Sequence, residues 1–192
     1  MNCSPLKSIE NQNRLMKEYL EQHKLMHKSG FFGGQTCLSY AEPLQRLVKQ
    51  RNPTSLLDYG CGKGDQYFVN RLHERLNCPM PTLYDPCYDP FKQKPEGSFS
   101  GVICTDVLEH VPEDDIEDVV REIFSFATDF VFIGVSVRPA TKILPNGENC
   151  HATIRPIDWW VNKILKLKPN NIKIFIYYED PKTGKFIEAY ED

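Results

Sequence analysis

The sequence predicts an α/β fold with a mostly parallel, twisted sheet that ends in an antiparallel hairpin. A short apolar segment leads into a glycine-rich loop and then a helical pattern over residues 55–76. Residues 99–105 and 130–137 are apolar enough for buried parallel strands, and the stretch between them has helical spacing. Residues 172–178 and 185–190 flank turn residues, which predicts the closing hairpin.

Length and composition indicate one globular domain. The 192 residues suffice to bury a core, and the net charge of −3 argues against long nucleic acid as a partner. The seven cysteines are scattered without a C-x-x-C pair, as expected of a reduced, cytoplasmic protein. We find no apolar run of membrane-spanning length and no signal peptide pattern, so we expect no membrane association.

The N-terminal part predicts a helical cap. Residues 7–28 place apolar side chains near helical spacing, and a second short helix is predicted at residues 44–50. We therefore expect one domain, 1–192, in which residues 1–50 form a helical lid or cap and residues 51–192 the ligand-binding core. Phe31, Phe32, Gly33 and Gly34 are a candidate hinge, since glycine tolerates many backbone conformations.

The loop after the first predicted strand contains Gly60, Gly62 and Gly64, preceded by Asp58. Strand, glycine loop and helix open a nucleotide-binding βαβ unit. A dinucleotide fingerprint would require a third glycine at position 65, where this chain has Asp65. A nicotinamide cofactor is therefore disfavoured.

This pattern resembles the first motif of class I S-adenosylmethionine (SAM) methyltransferases, which have a Rossmann-like fold. The resemblance implies that SAM is the cofactor. It also implies that Asp58, Gly60, Gly62 and Gly64 accommodate its amino-acid tail.

A short predicted strand at residues 82–84 ends in Asp85. It follows the glycine loop at about the 20-residue spacing of the acid that binds ribose hydroxyls in nucleotide folds. Pro86, Pro90 and Pro95 occupy the short segment before the next strand, where the family has a helix and a further strand. We therefore predict a shortened unit after the second strand.

The strand at residues 99–105 ends with Cys104 and Thr105, two further cofactor-binding candidates. The following segment, Asp-Val-Leu-Glu-His-Val at residues 106–111, is very similar to the motif after this strand in small-molecule methyltransferases such as the ubiquinone-pathway O-methyltransferases. The resemblance extends over about residues 40–165.

Asp106, Glu109 and His110 would share one face of a helical turn, because their spacing is i, i+3 and i+4. Carboxylates and imidazoles are divalent-metal ligands, and His151 is a fourth candidate. The arrangement resembles the metal-dependent 2′-O-methyltransferases of small-RNA 3′ ends, with Asp106 where that pattern has a glutamate. The resemblance implies Mg²⁺ or Mn²⁺ chelating two adjacent hydroxyls. The alternatives are a metal-free general base at His110 or His151, and purely structural roles.

A long loop at residues 138–156 follows the strand at residues 130–137 and contains Lys142 and Arg155. Loops of this length are usually functional, so both cations are candidates for an anionic group of the substrate.

We expect a SAM-dependent methyltransferase that O-methylates a small hydroxylated molecule, with possible metal assistance. Methylation of a nucleotide or an RNA 3′-terminal ribose is the second hypothesis. A non-catalytic SAM-binding protein is the third.

Overall fold

The computed structural model describes residues 5–30 and 34–192, with the side chains of residues 16–30 and 34–192. The helices are α1 (Pro5–Lys28), α2 (Ala41–Arg51), α3 (Asp65–Phe68), α4 (Leu72–Leu76), α5 (Ile116–Phe126) and α6 (Ile157–Leu167). The strands are β1 (Leu56–Tyr59), β2 (Thr82–Tyr84), β3 (Phe99–Thr105), β4 (Ala127–Val135), β5 (Lys173–Glu179) and β6 (Phe186–Glu191).

The strands form one six-stranded sheet in the order β2-β1-β3-β4-β5-β6. The first five run parallel to their neighbours, and β6 pairs antiparallel with β5 at one edge. The predicted fold class is therefore confirmed, in its reduced form. The predicted shortened unit is also confirmed, because β2 and β3 are connected by a segment whose one helical turn is a 3₁₀ helix at Asp89–Phe91.

Each face of the sheet buries its own core, as expected when helices cover both sides of a parallel sheet. One core joins side chains of alternate strand positions, such as Leu57, Val102 and Val131, to α5 and α6. The other joins Leu56 and Phe132, among others, to α2, α3 and α4. Because the first five strands are parallel, their carboxyl ends lie at the same edge of the sheet, and the candidate site lies at this edge.

The sequence predicted one helix over residues 65–76, but the structure has two short helices there, α3 and α4. The chain breaks between α3 and α4, where Arg71 adopts a left-handed φ of 51°. Tyr67 and Leu72 are buried, whereas Phe68, the last residue of α3, is exposed. Ala127 lies in the stretch between residues 105 and 130 for which the sequence predicts helical structure, but it is the first residue of β4.

The predicted N-terminal helix is confirmed as α1, which ends before Gly30 at a positive φ of 82°. Of the candidate hinge, Phe31, Phe32 and Gly33 lie outside the described residues. The boundary between a cap and a core near residue 50 stays a prediction. Among the described helices, none combines the length and apolar character needed to cross a bilayer.

Candidate active site

A cavity of about 630 Å³ lies at the carboxyl ends of β1, β2 and β3, with α1 along one side. Open α/β sheets bind their ligands at this edge, and the volume is in the range of cofactor sites. The sequence-predicted site residues that line it are Gly60, Gly62, Asp85, Thr105, Asp106, His110 and Lys142. The α1 residues that line it are Met16, Tyr19, Leu20, His23 and His27.

The glycine loop needs glycine at position 60 for a reason of space as well as backbone angle. Gly60 has a φ of 81°, and a Cβ atom there would overlap the Val107 side chain. The N–H groups of Gly60 and Cys61 both donate to the carbonyl oxygen of Tyr84, at 2.7 and 3.1 Å. The end of β2 therefore fixes the loop that borders the cavity.

Asp85 lies at the end of β2, where a ribose-binding acid was predicted, and borders the cavity. Its Oδ2 accepts a 2.8 Å hydrogen bond from the Gly62 N–H, and its Oδ1 accepts one of 2.8 Å from the Cys87 N–H. Each oxygen keeps a second acceptor position for a hydroxyl donor. Asp85 therefore also holds the glycine loop, a role that the sequence did not indicate.

His27 on α1 is a site residue that the sequence analysis missed. Its Nε2 lies 3.8 Å from Asp85 Oδ2, and both side chains are buried. Burial lowers the pKa of this imidazole, with the nearby Asp85 carboxylate acting in the opposite direction. A polar residue on the buried face of a predicted helix was the signal that could have identified it.

The structure does not bring Asp58 to the cavity, contrary to its predicted contact with the cofactor tail. The side chain is fully buried, and its Oδ2 accepts a 2.7 Å hydrogen bond from Gln66 Nε2. Burial raises the pKa of Asp58 to about 6, and the hydrogen bond from Gln66 partly offsets this effect. Gln66 lines the cavity in its place.

Two other predicted cofactor residues also lie behind the surface of the cavity. Gly64 is packed under Leu83 and Phe68, and Cys104 is fully buried within the sheet. Thr105, the next residue of β3, does line the cavity. The alternation of side chains along a strand explains why only one of the last two residues of β3 borders the site.

A cluster with metal-ligating side chains lies beside the cofactor-sized cavity. Ligand atoms of Asp106, His110 and His151 all fall within 4.8 Å of one another. A first-row metal holds such ligands at about 2.0–2.2 Å, so neighbouring ligands of one ion lie about 3.0–3.6 Å apart. The three side chains would therefore have to move closer together to bind one ion.

The two imidazoles of this cluster are oriented by backbone carbonyl groups. His110 Nδ1 lies 2.7 Å from the Cys150 oxygen, and His151 Nδ1 lies 2.6 Å from the Arg138 oxygen. A carbonyl oxygen only accepts, so Nδ1 donates in both contacts, and the lone pair of the neutral form of each ring is on Nε2. Metal-binding histidines are commonly fixed by such hydrogen bonds.

Glu109 is not part of the cluster, although the sequence predicted it as a ligand. The segment after β3 is a 3₁₀ turn at Leu108–His110 rather than an α-helix, which changes the faces on which side chains emerge. Oε1 of Glu109 accepts a 2.6 Å hydrogen bond from the Ser136 N–H. Its Oε2 is buried, and the Glu109 carboxyl group also interacts with the neighbouring Asp106 side chain. Burial, and next the nearby Asp106, raise the pKa of Glu109 well above its usual value.

Asp106 adopts a left-handed backbone conformation, with a φ of 60°. Non-glycine residues in this region are uncommon, and such strain collects at functional sites. The Asp106 N–H donates to the Gly134 oxygen at 3.0 Å, and Thr36 Oγ1 donates to Asp106 Oδ2 at 3.1 Å. Contacts from two other parts of the chain thus hold this carboxylate at the end of β3.

A second, smaller cavity of about 180 Å³ adjoins the same cluster. Residues common to both cavities are Thr36, Asp106, His110 and Lys142. The residues that line the smaller cavity alone include Ser136, Arg138, Thr141, His151 and Glu179. The cluster therefore lies at the junction of a cofactor-sized cavity and a small polar one.

Of the two cationic residues predicted to bind the substrate, Lys142 and Arg155, only one lines the cavities. Lys142 lines both cavities. Arg155 instead pairs with Glu113 at 2.6 Å and lies over the ring of Trp159. Its predicted role in holding an anionic substrate group is therefore not supported by its position.

His23 on α1 extends the cluster. Its ring packs edge-on against His110 with centroids 4.9 Å apart, and His110 makes the same kind of contact with His151. Burial lowers the pKa of His23 to about 3, so the ring is neutral at physiological pH. Helix α1, which borders the larger cavity, thus also contacts the cluster of Asp106, His110 and His151.

Comparison with known families identifies the chain. Residues 34–142, more than half of the sequence, match a family described as a methyltransferase domain. Searches of curated proteins and of solved structures found no match. The matched range contains the glycine loop, Asp85 and the Asp106–His110 segment. The chain therefore belongs to the class I SAM-dependent methyltransferases.

Proposed function

We propose that the protein transfers the methyl group of SAM to a hydroxyl oxygen of a small substrate, assisted by a divalent metal ion. The observation that carries this proposal is the position of Asp106, His110 and His151 between the two cavities. The larger cavity suits the cofactor, and the smaller suits the part of the acceptor that carries the hydroxyl group.

The residues around the larger cavity fit SAM. The glycine loop borders the cavity at Gly60 and Gly62, and Asp85 retains acceptor positions for ribose hydroxyls. Gln66 contributes a buried carbonyl oxygen without a partner among the described residues. When bound, SAM supplies an electrophilic methyl group.

The donor set of the cluster fits a divalent ion. One carboxylate and two imidazoles with Nδ1 fixed by carbonyl groups present three ligands from β3, the turn after it and the long loop. Transition-metal ions, Mn²⁺ included, accept imidazole ligands more readily than Mg²⁺, which prefers oxygen ligands. We therefore expect Mn²⁺ to bind more tightly than Mg²⁺.

A bound cation would lower the pKa of a coordinated hydroxyl group and so make it a better nucleophile. The chain's own contribution is positioning. Thr36 and the left-handed backbone of Asp106 fix the carboxylate, and Cys150 and Arg138 fix the two rings through their carbonyl oxygens. Holding the oxygen acceptor next to the cofactor cavity reduces the entropy cost of the reaction.

The smaller cavity favours a polar acceptor of limited size. Its volume of about 180 Å³ admits a single ring or a comparable fragment. Arg138 and Glu179 pair across it at 2.7 Å, and both groups offer hydrogen bonds to hydroxyl groups. Two adjacent hydroxyl groups on such a fragment could chelate one ion, as in a catechol or a sugar.

A terminal ribose of RNA carries the same pair of adjacent hydroxyl groups and is the second candidate acceptor. The small cavity would take the terminal sugar alone. The net charge of −3 favours an uncharged small molecule over a polyanion.

Manganese binding measured by electron paramagnetic resonance, with S-adenosylhomocysteine present, tests the metal part of the proposal. We expect one site per chain in the wild type and in the control His73→Ala, whose side chain lies on α4. Asp106→Asn and His151→Ala should each weaken binding at least about 10-fold. A wild type that binds S-adenosylhomocysteine but no manganese would contradict metal assistance and favour a metal-free base at His110 or His151.

Transfer of labelled methyl groups from SAM tests the acceptor. Catechols, free sugars with adjacent hydroxyl groups, nucleosides and short RNAs form the panel. We expect turnover with at least one small diol. Cofactor binding without turnover on any member would favour a non-catalytic SAM-binding protein.

A further inference from the structure

Gln66 lies at the start of α3, directly after the glycine loop, and lines the larger cavity. Its side chain is 2% exposed. Its backbone N–H donates to the Gly34 oxygen at 3.0 Å, which ties this residue to the segment before α2. Both ends of the residue are therefore held in place before any ligand binds.

The orientation of the Gln66 amide follows from its neighbours. Nε2 lies 2.7 Å from Asp58 Oδ2 and 3.4 Å from the Cys61 carbonyl oxygen. Both neighbouring atoms are acceptors, so the amino end of the amide must face them. The carbonyl oxygen, Oε1, is then directed away from both.

Oε1 of Gln66 is buried and has no hydrogen-bond partner among the described residues. An unpaired buried acceptor is costly and uncommon in folded proteins. Because Gln66 lines the cavity, a donor on a bound ligand can supply the missing partner.

The chemistry of the expected ligand matches this acceptor. SAM and S-adenosylhomocysteine carry an ammonium group on their amino-acid tail, and the sequence resemblance implies that the glycine loop accommodates this tail. An ammonium group only donates hydrogen bonds, and a bond to a charged donor is stronger than a neutral one.

We propose that Gln66 Oε1 accepts a hydrogen bond from the ammonium group of the cofactor tail, and that Asp58 is a positioning residue that fixes the Gln66 amide. This inference rests on the proposed use of SAM. It replaces a direct contact of Asp58, which the sequence suggested, with an indirect one. The carboxylate of Asp58 accepts from Nε2 and thereby leaves Oε1 as the side-chain acceptor that a ligand can use.

Three ligands that differ in the charged groups of the tail distinguish a contact with the ammonium group from a general effect on binding. S-adenosylhomocysteine has the ammonium and carboxylate groups, its decarboxylated form has the ammonium group alone, and 5′-methylthioadenosine has neither. Isothermal titration calorimetry would measure all three against the wild type, Gln66→Met, Gln66→Asn and Asp58→Asn. Gln66→Met keeps the volume of the side chain, and Gln66→Asn keeps the amide but withdraws its oxygen by one carbon.

We expect Gln66→Met to weaken binding of the two ammonium ligands by about 10-fold to 100-fold. Gln66→Asn should act in the same direction. Binding of 5′-methylthioadenosine should change less than threefold, which also reports that the variants are folded. Asp58→Asn retains an acceptor for Nε2, so its effect should be smaller than that of Gln66→Met.

Equal loss of affinity for all three ligands, or no loss for any, would overturn the assignment of Gln66. If Gln66→Met does not fold, the same comparison with Gln66→Asn decides between these outcomes. A wild type that binds none of the three ligands would instead overturn the proposed use of SAM itself.

Discussion

The backbone N–H of Ser136 donates a 2.6 Å hydrogen bond to Oε1 of Glu109, a buried residue that lies beside the cluster of Asp106, His110 and His151. Ser136 directly follows β4, whereas Glu109 lies in the turn after β3. The buried carboxyl group thus links the ends of two adjacent central strands. Its role in the structure is to support the turn that carries His110.

The first prediction compares Glu109 with Asp106. Glu109→Gln keeps an acceptor for the Ser136 N–H at nearly the same volume, so manganese affinity should change less than about threefold. Asp106→Asn removes a charged ligand and should weaken binding at least about 10-fold. Titration of both variants with Mn²⁺, followed by electron paramagnetic resonance, measures this difference. Equal losses in the two variants would place Glu109 among the ligands after all.

Sequence reasoning identified the elements that depend on local pattern. The glycine loop, the acid at the end of β2, the β3 strand and the C-terminal hairpin all carry strong local signals, and the structure contains each of them. The proline-rich segment after Asp85 was enough to predict a shortened unit. These features depend on residue type and spacing, which the sequence displays directly.

Features that depend on tertiary contacts were not predictable in the same way. The face on which Glu109 emerges depends on a 3₁₀ turn and the left-handed φ of Asp106, and neither has a periodic signal. His23 and His27 look like polar interruptions of an amphipathic helix until α1 is placed against the cavity. Gln66 stands between Asp58 and the cavity only because α3 begins directly after the loop.

The second prediction concerns space at the glycine loop. Gly60→Ala should cost roughly 2–4 kcal/mol, because it adds a positive-φ penalty to an overlap with Val107. Gly97→Ala is the matched control: its φ is 84°, but a Cβ there would meet nothing within 4 Å. We expect that control to cost roughly 1–2 kcal/mol. Urea unfolding of both variants provides the comparison.

The double variant Gly60→Ala/Val107→Ala separates the two contributions to this cost. Removing the Val107 methyl groups relieves the overlap but leaves the backbone penalty. We therefore expect Gly60→Ala to lower the free energy of unfolding less in the Val107→Ala variant than in the wild type. Complete additivity of the two substitutions would show that the overlap is absent.

The third prediction is a dependence of stability on pH at Asp58. Burial raises the folded-state pKa of this group to about 6 from a usual value of 3.8. The folded state therefore binds the proton more tightly than the unfolded state, so ionisation of Asp58 lowers stability as pH rises from about 4 to about 6. Above pH 6 the full cost of roughly 3 kcal/mol applies, since one pKa unit corresponds to about 1.4 kcal/mol.

Asp58→Asn removes this titration and keeps an acceptor for Gln66. The variant should gain roughly 1 kcal/mol of unfolding free energy over the wild type between pH 5 and pH 7.5. Urea unfolding of both proteins at several pH values in this range measures the difference. A constant difference would mean that the carboxyl group of Asp58 does not titrate there.

The last prediction tests whether α1 acts as a lid over the cofactor cavity. His27 on α1 lies 3.8 Å from Asp85, and Met16, Leu20 and His23 line the same cavity. A ligand that fills the cavity would contact both α1 and the sheet, so S-adenosylhomocysteine should slow amide hydrogen exchange in residues 16–28.

His27→Ala should reduce this protection. Lys24→Ala should not, because the side chain of Lys24 is exposed on the same helix and pairs only with the exposed Glu21 among the ion pairs described. Exchange in residues 130–135 of β4, which are buried, should remain unchanged and serves as the internal reference. Identical exchange of α1 with and without bound ligand would contradict a lid and leave α1 as a fixed part of the fold.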